Sequence, residues 1–248
     1  MPDFSLAGKN AVVTAATRGS MGHGIAIALA QQGANVAVCE LPGQAEGLAE
    51  TVAELRALGV KAWSTHADMT VRDEVEALFD GAVAQLGSVD IAVATVGVSH
   101  LPCPHHHPCP TLSPQPRHSQ GNPPPDDPDA VVDPHAERKA DSSSILGMSF
   151  DDYLKTTTTT QFSSWHTAQC AAQRMAAQGS GGRIILIGSV MADMAAPGAS
   201  TYSASKAAIK QLGRSMANEL GSQGITLKKL SKPTHWALLS DAHGATAR

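Results

Sequence analysis

Tyr202 and Lys206, in the run Tyr202-Ser203-Ala204-Ser205-Lys206, stand four positions apart. On a helix that spacing puts a phenol and an ammonium on one face. A free phenol has a pKa of about 10, too high for a base near neutrality. A nearby cation favours the phenolate by roughly one to three units, which makes such a pair a plausible proton donor and acceptor. By itself the pattern Y-x-x-x-K is common and is usually a surface pair. Ser189 precedes Tyr202 by 13 residues and ends the apolar run Arg183–Ile187, so a hydroxyl at a strand end leads into the helix that carries the pair.

A second concentration of chemistry lies near the N-terminus, in Thr14-Ala15-Ala16-Thr17-Arg18-Gly19-Ser20-Met21-Gly22-His23-Gly24. Glycines in a strand-to-helix turn let the backbone approach a pyrophosphate, and the helix start adds free N–H groups with a partial positive charge. The same kind of turn also serves as a plain connection. Glu40 follows the second apolar run, where a carboxylate can accept hydrogen bonds from ribose hydroxyls; the alternative is a solvated strand-end acid. Asp68 follows the third run and stands either at a bound adenine or as the N-cap of the next helix. Cys103-Pro104-His105-His106-His107-Pro108-Cys109 contains zinc-ligand types, but the spacing matches no standard structural site and no metal is assigned. Phe162 and Trp165 are expected in the core, and His166 as a surface or satisfied histidine.

The elements that must position these residues alternate. Strands are expected at 10–14, 35–39, 61–65, 91–95, 183–187 and 224–230. Helices are expected at 22–32, 45–58, 71–86, 150–178 and 200–220. Strands alternating with helices imply a parallel sheet covered on both faces. The fold class is therefore α/β, a doubly wound, Rossmann-like parallel sheet forming a single domain over 1–248. Val98–Gly147 breaks the pattern with most of the prolines and no apolar periodicity, and is expected to be a disordered low-complexity insert. The tail 231–248 is atypical and reads as a truncated C-terminus. Both begin so abruptly that translated non-coding or out-of-frame DNA is the expected origin.

Composition narrows the function classes. The chain has 248 residues, 42% of them apolar, and a net charge of −4. That length fits one α/β domain. The mildly acidic balance and 4% aromatic content give no reason to expect nucleic acid as a partner. No run of eighteen apolar residues suggests a membrane span. Four cysteines (Cys39, Cys103, Cys109 and Cys170) do not form a disulfide framework in a chain this long, so a reducing, cytoplasmic setting is expected.

Taken in order, Arg183-Ile184-Ile185-Leu186-Ile187-Gly188-Ser189 and Tyr202-Ser203-Ala204-Ser205-Lys206-Ala207-Ala208 strongly resemble the short-chain dehydrogenase/reductase family. Gln169 through Met175 and the turn Gly179-Ser180-Gly181-Gly182 also look like family sequence, and the resemblance covers 7–97 and 149–230. It implies a nicotinamide-dependent oxidoreductase acting on a carbonyl or secondary alcohol, with a small-molecule substrate and a homodimer or homotetramer. Tyr202 would exchange a proton with the substrate oxygen, and Ser189 would stabilise charge on it. Lys206 would favour the phenolate and hold the nicotinamide ribose. Thr14, Arg18, Gly19, Gly22, Gly24, Glu40, Asp68, Met69 and Gly97 would contact the cofactor alongside Tyr202 and Lys206. Glu40 favours NAD, whereas Arg18 leaves NADP possible.

The departures from the family pattern are specific. Ala15 replaces the first glycine of T-G-x-x-x-G-x-G. Ala94-Thr95-Val96-Gly97 replaces N-N-A-G, which removes polar groups that brace the sheet. The family's catalytic asparagine falls on Thr160. After the sixth strand, Lys228-Lys229-Leu230-Ser231-Lys232-Pro233 replaces N-x-x-x-P-G. These departures support an alternative: a catalytically impaired protein of the same fold that binds a dinucleotide or only packs against subunits.

Overall fold

The computed structural model describes residues 5–97, 145–196 and 198–230. The expectations for the 98–147 insert and the 231–248 tail therefore lie outside the described residues, except for an exposed turn at Ile145 and Leu146. Cys103, Cys109 and the histidine triplet between them lie outside as well.

Six strands form one parallel sheet: β1 (Asn10–Val13), β2 (Asn35–Glu40), β3 (Ala62–His66), β4 (Ile91–Ala94), β5 (Gly182–Ile187) and β6 (Ile225–Leu230). Their spatial order is β3-β2-β1-β4-β5-β6, with every neighbouring pair parallel. The helices are α1 (Met21–Gln31), α2 (Ala45–Ala57), α3 (Arg72–Leu86), α4 (Phe150–Thr157), α5 (Ser163–Gln178) and α6 (Ser200–Leu220). The order reverses beside β1, and in such a sheet ligands enter the crevice at the carboxyl ends of the strands at that point.

Strand side chains alternate between faces, and the core divides accordingly. Ala11, Val13, Val36 and Val38 pack with Ala26 and Ala30 of α1 and with Leu48, Val52 and Leu55 of α2. Val12, Ala37, Ala92 and Ile184 pack on the other face with Leu78 and Phe79 of α3, Met175 of α5 and Ile209 of α6. Burial on both faces explains why the strands read as continuous apolar runs.

The expected elements are present with ends shifted by a residue, but one helix differs. The stretch expected as a single helix over 150–178 is interrupted by a π-helical turn, Thr158–Phe162, between α4 and α5. Its buried stripe is made of small residues: Thr156, Thr160, Ser163, Ser164, Thr167 and Ala168. Phe162 and Trp165, expected in the core, are exposed on the opposite side. A π turn adds a residue to one turn and rotates every later side chain about the helix axis, so a uniform period of 3.6 assigns the wrong face.

Candidate active site

β1 ends at Val13, and Thr14 continues into the turn that starts α1. Ala15 there adopts a left-handed conformation with φ +50° and is the one non-glycine with positive φ among the described residues. The family glycine that Ala15 replaces is thus explained: a side chain in this region carries strain. Gly22 is required for a different reason. A Cβ on it would stand 2.3 Å from the Ala15 carbonyl oxygen and 2.7 Å from that of Thr14. Gly19 has φ +81° with open space around it, and Gly24 lies exposed on α1. Ser20 caps the helix, its Oγ accepting from the His23 N–H at 3.0 Å and donating to the Ala15 carbonyl at 2.9 Å.

A cavity of about 410 Å³ opens at the carboxyl ends of β1, β2, β3 and β4. Of the expected cofactor residues, Gly22, Glu40, Asp68, Met69 and Gly97 line it; Thr14, Arg18, Gly19, Gly24, Tyr202 and Lys206 do not. Glu40 accepts from the Thr17 N–H at 3.2 Å and from its neighbour Leu41 at 3.0 Å. Each oxygen retains a lone pair for a further donor. Asp68 Oδ1 accepts from the Thr70 N–H at 2.8 Å and its hydroxyl at 2.7 Å. It is therefore the start of a tight turn and not the N-cap of α3, which is Val71. His166 on α5 donates through Nδ1 to the Met69 carbonyl at 3.1 Å and so steadies this wall. It is the satisfied histidine of the two expectations.

The brace expected to be missing after β4 is present in another form. Thr14 Oγ1 donates to the Val93 carbonyl at 3.3 Å and accepts from the Thr95 N–H at 3.1 Å, while the Thr95 hydroxyl donates to the Thr14 carbonyl. Two threonines thus tie the ends of β1 and β4, where the family pattern uses asparagines.

Lys206 is buried on α6 and joins the two halves of the site. Its Nζ donates to the Ile187 carbonyl at 2.8 Å and lies 5.7 Å from the centre of the Tyr202 ring. A Cβ on Gly97, at the cavity wall, would stand 3.1 Å from that Nζ and 3.7 Å from Thr160 Cγ2. Burial pushes the Lys206 pKa down to about 8. Ser189, half-buried after β5, accepts from the Met191 N–H at 3.2 Å. Ser20, Thr95, Thr159 and Ser163 also line the cavity, and nothing in their local sequence marks them. Among the described residues the buried Ser163 Oγ has no hydrogen-bond partner, a polar atom for which a bound group can supply a bond. The capped helix start, the close approach at Gly22, the acid at the end of β2 and this orphan hydroxyl fit a dinucleotide. Among the described residues no group of three or more His, Cys, Asp and Glu side chains is arranged to hold a metal ion, and no helix is long and apolar enough to cross a membrane.

The pattern of the short chain dehydrogenase family matches residues 9–113 and 140–233, so the chain belongs to that family. It is an NAD(P)-dependent oxidoreductase of the alcohol–carbonyl type. It is similar to the 2-dehydro-3-deoxy-D-gluconate 5-dehydrogenase of Escherichia coli, with 28% identity over 92% of this chain and 72% of the relative. The 3-oxoacyl-[acyl-carrier-protein] reductase of Staphylococcus aureus is 30% identical over 90% of this chain and 73% of the relative. Among solved structures, a 7α-hydroxysteroid dehydrogenase complexed with NADH and 7-oxo glycochenodeoxycholic acid superimposes with a TM-score of 0.69. It has 29% identity over 92% of this chain and 71% of that one.

Proposed function

We propose that Ser189, Tyr202 and Lys206 perform the proton chemistry of this oxidoreductase, with Lys206 set against the Gly97 wall of the β-strand cavity. The observation that carries the reading is the position of Lys206, whose ammonium lies near both the Tyr202 ring and Gly97 on the cavity wall. The nicotinamide supplies hydride chemistry, for which proteins have no suitable side chain. Tyr202 donates to or withdraws a proton from the substrate oxygen, and Ser189 hydrogen-bonds that oxygen as charge develops. Lys206 supplies the cation beside the phenol and donates to the ribose. Gly22, Glu40, Asp68, Met69 and Gly97 form the binding wall, with Thr14, Gly19 and Gly24 shaping the turn behind it. Thr160 stands in the position of the family asparagine.

NAD is the preferred cofactor. Glu40 lines the cavity, where its charge repels a 2′-phosphate, and Arg18 is paired elsewhere. We read 1–248 as one domain acting on a small-molecule substrate in the cytoplasm, a setting that suits the buried thiols of Cys39 and Cys170, which form no disulfide among the described residues. Phe150, Tyr153, Leu154, Phe162 and Trp165 are exposed along α4, the π turn and α5. Such a patch supports self-association as a homodimer or homotetramer.

The test is a fluorescence titration with NADH and NADPH, followed by turnover on a panel of ketones and secondary alcohols. Saturable NADH binding and turnover abolished by Tyr202→Phe are expected. Turnover that survives in Tyr202→Phe would remove this assignment of the acid.

A further inference from the structure

Arg18 sits in the glycine-rich turn, yet its side chain is turned away from the cavity onto α2. Its backbone N–H donates to the Gly47 carbonyl at 3.1 Å. Its Nη1 lies 3.3 Å from Glu50 Oε2 and its Nε 3.5 Å from Glu54 Oε1. The other Glu54 oxygen is 2.9 Å from His23 Nε2. His23 Nδ1 accepts from the Gly19 N–H at 3.4 Å, so the imidazole proton is on Nε2 and points to Glu54. That hydrogen bond, with the Arg18 guanidinium close by, holds the Glu54 carboxyl below its ordinary range.

The pairing is built into the way α2 docks. A Cβ on Gly47 would press on the Thr17 hydroxyl and stand 3.3 Å from the Arg18 backbone nitrogen, so a larger residue here would force the turn or Thr17 to shift. Thr51 Oγ1 donates to the Ala16 carbonyl at 2.8 Å, one helical turn further along. Glu50 and Glu54 are therefore presented to Arg18 by a helix fixed against the turn, and they lie on one face of it.

A 2′-phosphate on a bound dinucleotide needs a free cation close to the ribose. Here the cation of this turn is shared between two carboxylates, with Glu40 as a third acid at the ribose end of the cavity. We infer that Glu50 and Glu54 are specificity-determining residues, which exclude a 2′-phosphorylated dinucleotide by holding Arg18 on α2. Exposed ion pairs contribute little to stability. Their effect here is a competition for one guanidinium, and it appears in cofactor choice, not in folding. The inference rests on the reading of the cavity as a dinucleotide site.

The experiment is a low-salt titration of NADH and NADPH against three proteins: the wild type, Glu50→Gln/Glu54→Gln, and that double variant with Arg18→Gln added. Gln keeps the shape and can still accept from His23. The double variant should bind NADPH about tenfold more tightly, at about the scale of two exposed pairs, with NADH changed less than about twofold on the same scale. Adding Arg18→Gln should erase the gain. An unchanged NADPH affinity in the double variant, or a gain that survives Arg18→Gln, overturns the inference while leaving the NADH site intact. Failure of the wild type to bind NADH would remove the dinucleotide reading itself, and the inference with it. If the double variant does not fold, Glu50→Gln alone serves the same test. Among the described residues its carboxylate pairs with Arg18, and a gain of about fivefold is expected.

Discussion

Lys206 Nζ donates a 2.8 Å hydrogen bond to the carbonyl of Ile187, the last residue of β5. The ammonium is thereby fixed to the strand that leads to Ser189, while its own helix carries Tyr202 one turn earlier. A neutral carbonyl is a weak partner for a buried charge, and loss of hydration lowers the Lys206 pKa to about 8.

This depressed pKa has a consequence for stability. In the unfolded chain a lysine titrates near 10.5 and in the fold near 8. Between those values the unfolded state binds more protons, so stability rises with pH across that window. Below about 8 the full cost of burying the charge is present. Lys206→Met removes the titration, and the orphaned Ile187 carbonyl costs about 1 kcal/mol at every pH. The wild-type melting temperature should therefore gain on that of Lys206→Met between pH 7.5 and pH 10, in roughly the window set by this linkage. A constant gap across that range would mean that the ammonium is hydrated in the fold.

Tyr202→Phe tests the acid. The ring that faces Lys206 is retained, so packing and the cation–ring contact survive. The exchangeable proton does not. Turnover should fall by about a hundredfold or more, with NADH affinity by titration essentially unchanged. A parallel loss of NADH affinity would show that the phenol binds cofactor more than it transfers protons.

Much of this arrangement is legible in the sequence, because its strands are buried on both faces and its helices end at glycines. Gly33, Gly59, Gly87 and Gly179 all have positive φ, and each marks a boundary that can be read without coordinates. Spacing puts Tyr202 and Lys206 on one face of α6, and Lys206 Nζ lies 5.7 Å from the centre of the Tyr202 ring. The hidden features depend on contacts between distant segments. Thr95 replaces an asparagine yet still braces β1, because Thr14 meets it across the sheet. Arg18 looks available to a phosphate in the sequence because its partners come from α2, 32 and 36 positions away. The π turn leaves no local signal beyond a run of weak helix formers, and it reverses the expected faces of Phe162 and Trp165.

The glycine-rich turn carries a prediction with two opposite signs. Ala15 holds φ +50°, which costs a side chain roughly 1–2 kcal/mol relative to glycine. Ala15→Gly gives back about 0.5–1 kcal/mol of that as greater freedom in the unfolded chain. A net gain of about 0.5–1 kcal/mol should appear as a melting temperature higher by about 1–4 °C. Gly22→Ala is the reverse case. Its Cβ would press on two backbone carbonyls that cannot move without the end of β1, so about 1–3 kcal/mol should be lost, with weaker NADH binding. A tolerated Gly22→Ala would mean that the turn is looser than its contacts require.

Thr160 provides the sharpest test of the site. It is fully buried on the π turn, a feature that often marks functional positions in helices. Its Cγ2 is a near neighbour of Gly97, beside the Lys206 ammonium. Its carbonyl accepts from Ser164 Oγ at 2.9 Å. The family pattern places an asparagine here, with an amide carbonyl and two N–H donors, whereas threonine brings one hydroxyl on a shorter side chain. Proton delivery toward Lys206 and Tyr202 should suffer even where the hydride geometry is sound. Turnover of the wild type is therefore expected to be low, and Thr160→Asn should raise kcat by about tenfold, a fraction of what acid–base assistance supplies. NADH affinity should stay within about twofold, because the change lies on the proton path and leaves uniform binding intact. The comparison is made at saturating cofactor, with a solvent isotope effect on kcat that shrinks in Thr160→Asn. A folded, NADH-binding Thr160→Asn with the same kcat and the same isotope effect would show that proton delivery does not limit this enzyme.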